Sequence, residues 1–168
     1  MPESNNRIFD TLIDSVDRLR LLSKYVIRIE IFNGEKYLTA ANLNLDNSES
    51  QISLTVSDIA YLMEYGTVGS PGYYFIERLA QYLQQFLNPY LDRIIDGIFD
   101  KDWGEDQIYY ELLDFERFAN TKIPAYFSEY TEDLQFLSNT LGLPGNTRYL
   151  VDPKILQKYL RCKIYKNN

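Results

Sequence analysis

Residues 25–34 read Tyr25-Val26-Ile27-Arg28-Ile29-Glu30-Ile31-Phe32-Asn33-Gly34. Tyr25, Ile27, Ile29 and Ile31 fall on one face of an extended chain, with Arg28 and Glu30 on the other. A period of two among β-branched residues predicts a strand. Asn33-Gly34 then predicts a tight hairpin turn, because both residue types tolerate positive φ, so a second strand is expected back through Lys36-Tyr37-Leu38-Thr39. A two-stranded hairpin alone is marginal in water. The alternating C-terminal run Leu160-Arg161-Cys162-Lys163-Ile164-Tyr165-Lys166 is expected to complete the sheet, with Cys162 and Ile164 inward.

Outward from that sheet the pattern is helical. Ile8, Leu12, Val16, Leu19 and Leu22 repeat at helical spacing behind a Ser4 or Asn5 cap. Residues 42–50 are polar and read as a loop. Ser57-Asp58 opens a short helix through Tyr65, which Gly66 stops in a left-handed turn. Phe75, Leu79, Leu83, Phe86, Tyr90, Ile94 and Ile98 keep one helical face across Pro89, so Asn88-Pro89 should kink or divide that helix, Asn88 capping its second half. Further helices are expected over about 105–119 and 131–141, the second closed by Gly142 and a Pro144-Gly145-Asn146 turn. Asp152-Pro153 should start a last short helix through Tyr159. The expected fold is α+β and a single domain over 1–168. A small antiparallel sheet, made of the N-terminal hairpin and the C-terminal strand, packs against a long kinked helix and several shorter ones. An acidic helical stretch occupies about 100–147.

A chain of 168 residues can bury about 70% of its unfolded surface without staples. Its 15 Tyr and 9 Phe suit half-buried surfaces and interfaces, and core packing accounts for them equally well. The net charge of −7 argues against free binding to nucleic acid, which needs a basic face. That charge is uneven: residues 92–133 carry a net −8 and residues 148–168 a net +5. The asymmetry suggests a contact between neighbouring molecules, the blander reading being solvated helix faces. The single cysteine excludes an internal disulfide and fits a reducing compartment. The N-terminus lacks a signal-peptide apolar core, and no apolar run reaches the length of a membrane span, so a soluble protein is expected.

Little in the chain promises catalysis. Without a histidine, the commonest general base, the triads that use it and most zinc sites are gone. The eight glycines form no phosphate-cradling loop. Asp92 and Asp96 lie one helical turn apart and Glu105 adjoins Asp106, but such pairs are usually the wet side of a helix. Asp100-Lys101-Asp102-Trp103-Gly104-Glu105, with Glu111 twelfth from Asp100, imitates a calcium loop. Its glycine comes one position early, where the loop geometry requires it at six, so Trp103-Gly104 reads as a helix-connecting corner pinned by an aromatic. Cys162 has no partner base and reads as a buried, inert thiol. No catalytic residue, metal or cofactor is expected.

The segment Asp58-Ile59-Ala60-Tyr61-Leu62-Met63-Glu64-Tyr65-Gly66-Thr67, followed by Pro71 and Phe75, is the most specific signal. It resembles the signature of the neck, tail-completion and virion-morphogenesis proteins of tailed phages. In that family an Ala precedes an acid-aromatic-Gly-Thr run, a loop, and a Pro-aromatic start to a long helix. The matching residues are Ala60, Glu64, Tyr65, Gly66, Thr67, Pro71 and Phe75, and Leu150-Val151-Asp152 with Leu156 resembles the family's closing turn and helix. The resemblance covers about 25–99 and 148–166. It departs where Gly72-Tyr73-Tyr74 replaces the family's Arg, and where Pro153-Lys154 replaces Thr-Gly.

What the resemblance implies is a non-enzymatic virion structural protein of the head–tail connector, assembling as a ring in the host cytoplasm. Its partners would be other neck, portal and tail proteins, with DNA passing through the channel and no membrane involved. Loops 42–50 and 66–72 would reach partners. Lys158, Arg161 and Lys163 would offer the basic side of a contact between copies, facing the acidic stretch of the next. Two rivals come from other classes: an acidic inhibitor or regulator that binds a host enzyme one-to-one, and a hydrolase built on carboxylates alone.

Overall fold

The structure, a computed structural model, describes residues 13–14, 16–34, 55–67, 70–72, 74–129 and 154–167. Helix α1 (16–22) leads into strand β1 (Tyr25–Ile31). Helix α2 (Val56–Tyr65) follows, then the two-residue strands β2 (Gly66–Thr67) and β3 (Ser70–Pro71). Helices α3 (Phe75–Gln84), α4 (Asn88–Asp100), α5 (Glu105–Glu129) and α6 (Lys154–Gln157) precede the final strand β4 (Leu160–Lys166). The fold is α+β, as the change of period from two to helical spacing requires.

β4 pairs with β1. The Phe32 N–H donates to the Tyr159 carbonyl at one end, and the Asn167 N–H to the Lys24 carbonyl at the other, both at 2.6 Å. The strands therefore run antiparallel. Leu160, Cys162 and Ile164 are buried, the inward alternation expected of the chain end. The second hairpin strand (36–39), loop 42–50, the helix over 131–141 with its closing turn, the Asp152-Pro153 start and the first residues of the N-terminal helix lie outside the described residues. In the turn after β1, Asn33 takes φ 54° but Gly34 does not take positive φ. Gly34 serves by its size instead. Its carbonyl accepts from the Ser57 N–H at 2.9 Å, and a β-carbon there would collide with the Ser57 hydroxyl.

The chain divides into two compact units, each assembled from separated stretches. One comprises 1–28, 84–119 and 162–168, and the other 29–83 and 120–161. Neither coincides with the acidic stretch at about 100–147. In the first, Ile94, Ile98, Ile108, Leu112, Phe115 and Cys162 are among the buried side chains. In the second, Val56, Ile59, Met63, Phe75, Leu79 and Phe127 are.

Several helix boundaries differ from expectation, each for a local reason. α2 starts at Val56, not Ser57, because Thr55 and Asp58 form a reciprocal capping box. The 75–98 stripe is divided at 85–87, but Asn88 is not the cap: Leu87 holds that place with helical backbone and no side-chain bond. Proline in a first turn needs no N–H partner, so α4 restarts without side-chain help. α5 runs past Ala119 to Glu129 with Pro124 inside it. An interior proline costs about 3 kcal/mol, and burying Ile123 and Phe127 returns about 1.5–3 kcal/mol each. Val16, at the start of α1, and Ile13 before it are exposed, and Leu19, Leu21 and Leu22 are no more than half-buried, so among the described residues the first helix presents a weaker apolar face than its spacing suggests.

Candidate interaction site

The motif residues build one corner between α2 and α3. Apolar positions Val56, Ile59, Ala60 and Met63 face the core at helical spacing, and Glu64 falls on the same buried stripe. A buried carboxylate needs a partner. Glu64 finds it across the corner, where its Oε2 accepts from the Ile76 N–H at 2.7 Å, in the first turn of α3. That turn offers unpaired N–H groups and the positive end of the helix dipole, which together favour an anion. The Glu64 carbonyl accepts from the Tyr74 N–H at 3.1 Å, and the Arg78 N–H donates to the Tyr74 carbonyl at 2.9 Å. One residue thus ends α2 and fixes the start of α3.

Gly66 takes φ 80° and ψ −164°, with its N–H on the Leu62 carbonyl. Positive φ is as expected, but this ψ lies outside the left-handed helical region, in ground almost reserved for glycine. The 66–72 segment is not an open loop: Gly66 pairs with Pro71 and Thr67 with Ser70, a miniature antiparallel hairpin. A β-carbon on Gly72 would collide with the Glu64 carbonyl oxygen and the Tyr65 backbone, so a glycine at 72 has a packing reason. Phe75 and Ala60 are fully buried, and so build the corner without presenting anything. Tyr65 is presented: it is 61% exposed, and its ring lies 4.8 Å from that of Tyr61, which is 63% exposed one turn earlier. Tyr74 is also exposed. Sequence reading missed the role of Glu64 and the pairing of Tyr61 with Tyr65. An acid on a buried stripe, and two tyrosines at i and i+4, were the available signals.

The basic end is partly paired within the chain. Lys163 Nζ pairs with Glu116 Oε1 at 3.1 Å, Glu116 also accepts from the Ile164 N–H at 2.8 Å, and Lys166 pairs with Glu105. Tyr159 and Asn167 bond to β1, so alternation puts the Ile164 N–H on the outer edge of β4, where Glu116 substitutes for a further strand. Glu105 also faces Lys24 at 3.7 Å and Tyr25, and Lys166 above all holds its carboxyl below the usual carboxylate range. Part of the charge asymmetry is therefore matched within one chain. Arg161 donates to the Leu160 carbonyl at 2.6 Å and is half-buried, while Lys158 is exposed.

At the calcium-like stretch, Trp103 packs on Gly97, and the N–H groups of Lys101 and Trp103 both donate to the Gly97 carbonyl. Asp102 takes φ 61° and pairs with Arg18. This is the aromatic-pinned corner that the sequence suggests. Among the described residues no group of three or more acidic or cysteine side chains is placed to hold a metal, and no helix is long and apolar enough to cross a membrane. Comparison with family models, curated proteins and solved structures yields no match, so any functional reading rests on these residues themselves.

Proposed function

We propose that this chain is a non-catalytic structural subunit of the head–tail neck of a tailed phage, working in a ring and docking neighbouring neck, portal or tail proteins through the α2–α3 corner. The observation that carries this reading is the division of labour among the motif residues. Ala60, Glu64 and Phe75 are buried to fix the corner, Gly66 turns it, and Tyr65 is held out beside Tyr61. Paired exposed tyrosines offer a large contact area on side chains with few rotamers to freeze. Lys163 and Lys166 are matched within the chain, so the contact between copies rests on this aromatic face. Surplus acid facing a channel would keep passing DNA from sticking.

The test is a Tyr61→Ser/Tyr65→Ser double variant, mixed with candidate neck proteins and tail-less particles and followed by imaging. Both residues are exposed, so the fold should survive. Loss of incorporation at unchanged melting temperature supports the reading. Normal incorporation, or a one-to-one complex with a host enzyme in place of particle binding, would overturn it in favour of the regulatory rival.

A further inference from the structure

Among the described residues one helix face is left without a partner, and it belongs to a different element from the corner. On α4, Ile94, Gly97 and Ile98 are buried, while Asp92, Ile95, Asp96, Phe99 and Asp100 are all exposed. Those five positions stand at i, i+3, i+4, i+7 and i+8, one continuous stripe about 12 Å long. Ile95 and Phe99 are 40% and 48% exposed, an i, i+4 apolar pair edged by three carboxylates. The nearby cations are directed elsewhere. Arg93 pairs with Glu111 and lies 4.3 Å over the Tyr90 ring, and Lys101 leans toward Trp103. Among the described residues none of Asp92, Asp96 and Asp100 has an ion-pair partner. Asp96 and Asp100 also stand near the negative end of the helix dipole, where a carboxylate is disfavoured unless a cation joins it.

We infer that this α4 face docks a basic amphipathic helix of another protein, its apolar residues on Ile95 and Phe99 and its Lys or Arg residues on the three aspartates. Charge complementarity selects the occupant. An anionic lipid surface is repelled by the same aspartates. A second copy is a poorer fit, because two cations of its basic end, Lys163 and Lys166, are already held by Glu116 and Glu105. This surface stands or falls independently of the tyrosine corner.

A fluorescein-labelled Leu/Lys amphipathic helical peptide serves as the probe, with anisotropy read at physiological salt. D92N/D96N/D100N and I95S/F99S should each weaken binding by about 10-fold or more, as loss of a central anchor does. A charge-matched control, D106N/D114N/E129Q, should change it by less than about 2-fold, as scattered surface charges do. Equal losses in the control and the α4 triple variant would reduce the effect to net charge and overturn the proposal. So would full binding by I95S/F99S, or sedimentation showing that wild-type chains self-associate through this face.

Discussion

The carboxylate of Glu64, at the end of α2, accepts a hydrogen bond from the backbone N–H of Ile76 in the first turn of α3, at 2.7 Å. Removing it strands a part-buried donor and strips an anion from a helix N-terminus. Glu64→Ala should therefore cost about 1–3 kcal/mol in urea unfolding. Glu64→Gln should cost less, because its amide oxygen can still accept. Equal midpoints for wild type and the alanine variant would show that the bond contributes nothing to holding the corner.

Gly66 supplies a second test. At φ 80° and ψ −164° it occupies backbone that side chains strongly disfavour. Gly66→Ala should destabilise by about 1–3 kcal/mol. Asparagine rescues many left-handed helix caps, but this ψ is not left-handed helical, so Gly66→Asn should do no better. A stable asparagine variant would mean that the corner relaxes to a different turn.

How far the sequence disclosed this molecule depends on how local each determinant is. The strand at 25–31 and the inward Cys162 and Ile164 were legible because period two needs no tertiary information. The continuation of α5 through Pro124 was not, since burial of Ile123 and Phe127 beyond the proline overrides a local penalty. Glu64 stands out in the sequence as a motif residue, but its partner lies twelve residues away across a turn, and spacing alone cannot aim a carboxylate. The pairings of Glu116 with Lys163 and of Glu105 with Lys166 were hidden for the same reason: these groups are close only once β4 and α5 are folded.

The Trp103 corner can be followed by its own fluorescence, because the chain has one tryptophan. A β-carbon on Gly97 would clash with the Trp103 indole ring. Gly97→Ala should displace Trp103 toward solvent, red-shift its emission, and destabilise by about 1–3 kcal/mol as overpacking does. An unchanged spectrum would mean the indole does not rest on Gly97 in solution.

Cys162 should be inert in the native state. It is buried on β4, and burial, reinforced by nearby Glu116, pushes the thiol up to about 12. A thiol that stays protonated at neutral pH is neither nucleophile nor ready metal ligand. Ellman's reagent should modify it only at the rate of unfolding, and stoichiometrically in denaturant. Rapid modification of folded protein would place β4 at the surface, against the burial of Leu160 and Ile164 beside it.

Acidification should weaken the fold through two carboxylates whose partners are named. Lys166 first, with Lys24 and Tyr25, holds Glu105 below its ordinary range, and the Thr55 hydroxyl and backbone N–H do the same for Asp58 in the capping box. Each group binds its proton less readily folded than unfolded. Its stabilising contribution is therefore complete above the ordinary carboxylate value of about 4 and disappears as pH falls through the lower folded value. The urea midpoint should hold steady from about pH 7 to 5 and then decline toward about pH 3. Asp58 is exposed and Glu105 half-buried, so the decline should be gradual and partly suppressed by salt at Glu105, where the partner is a charge, but not at Asp58, where it is a cap. A Glu105→Gln/Asp58→Ala double variant should start lower at neutral pH and lose less on acidification. If its acid slope matched the wild type, other carboxylates would carry the pH dependence, and the Lys166–Glu105 pairing of the chain end to α5 would be energetically silent.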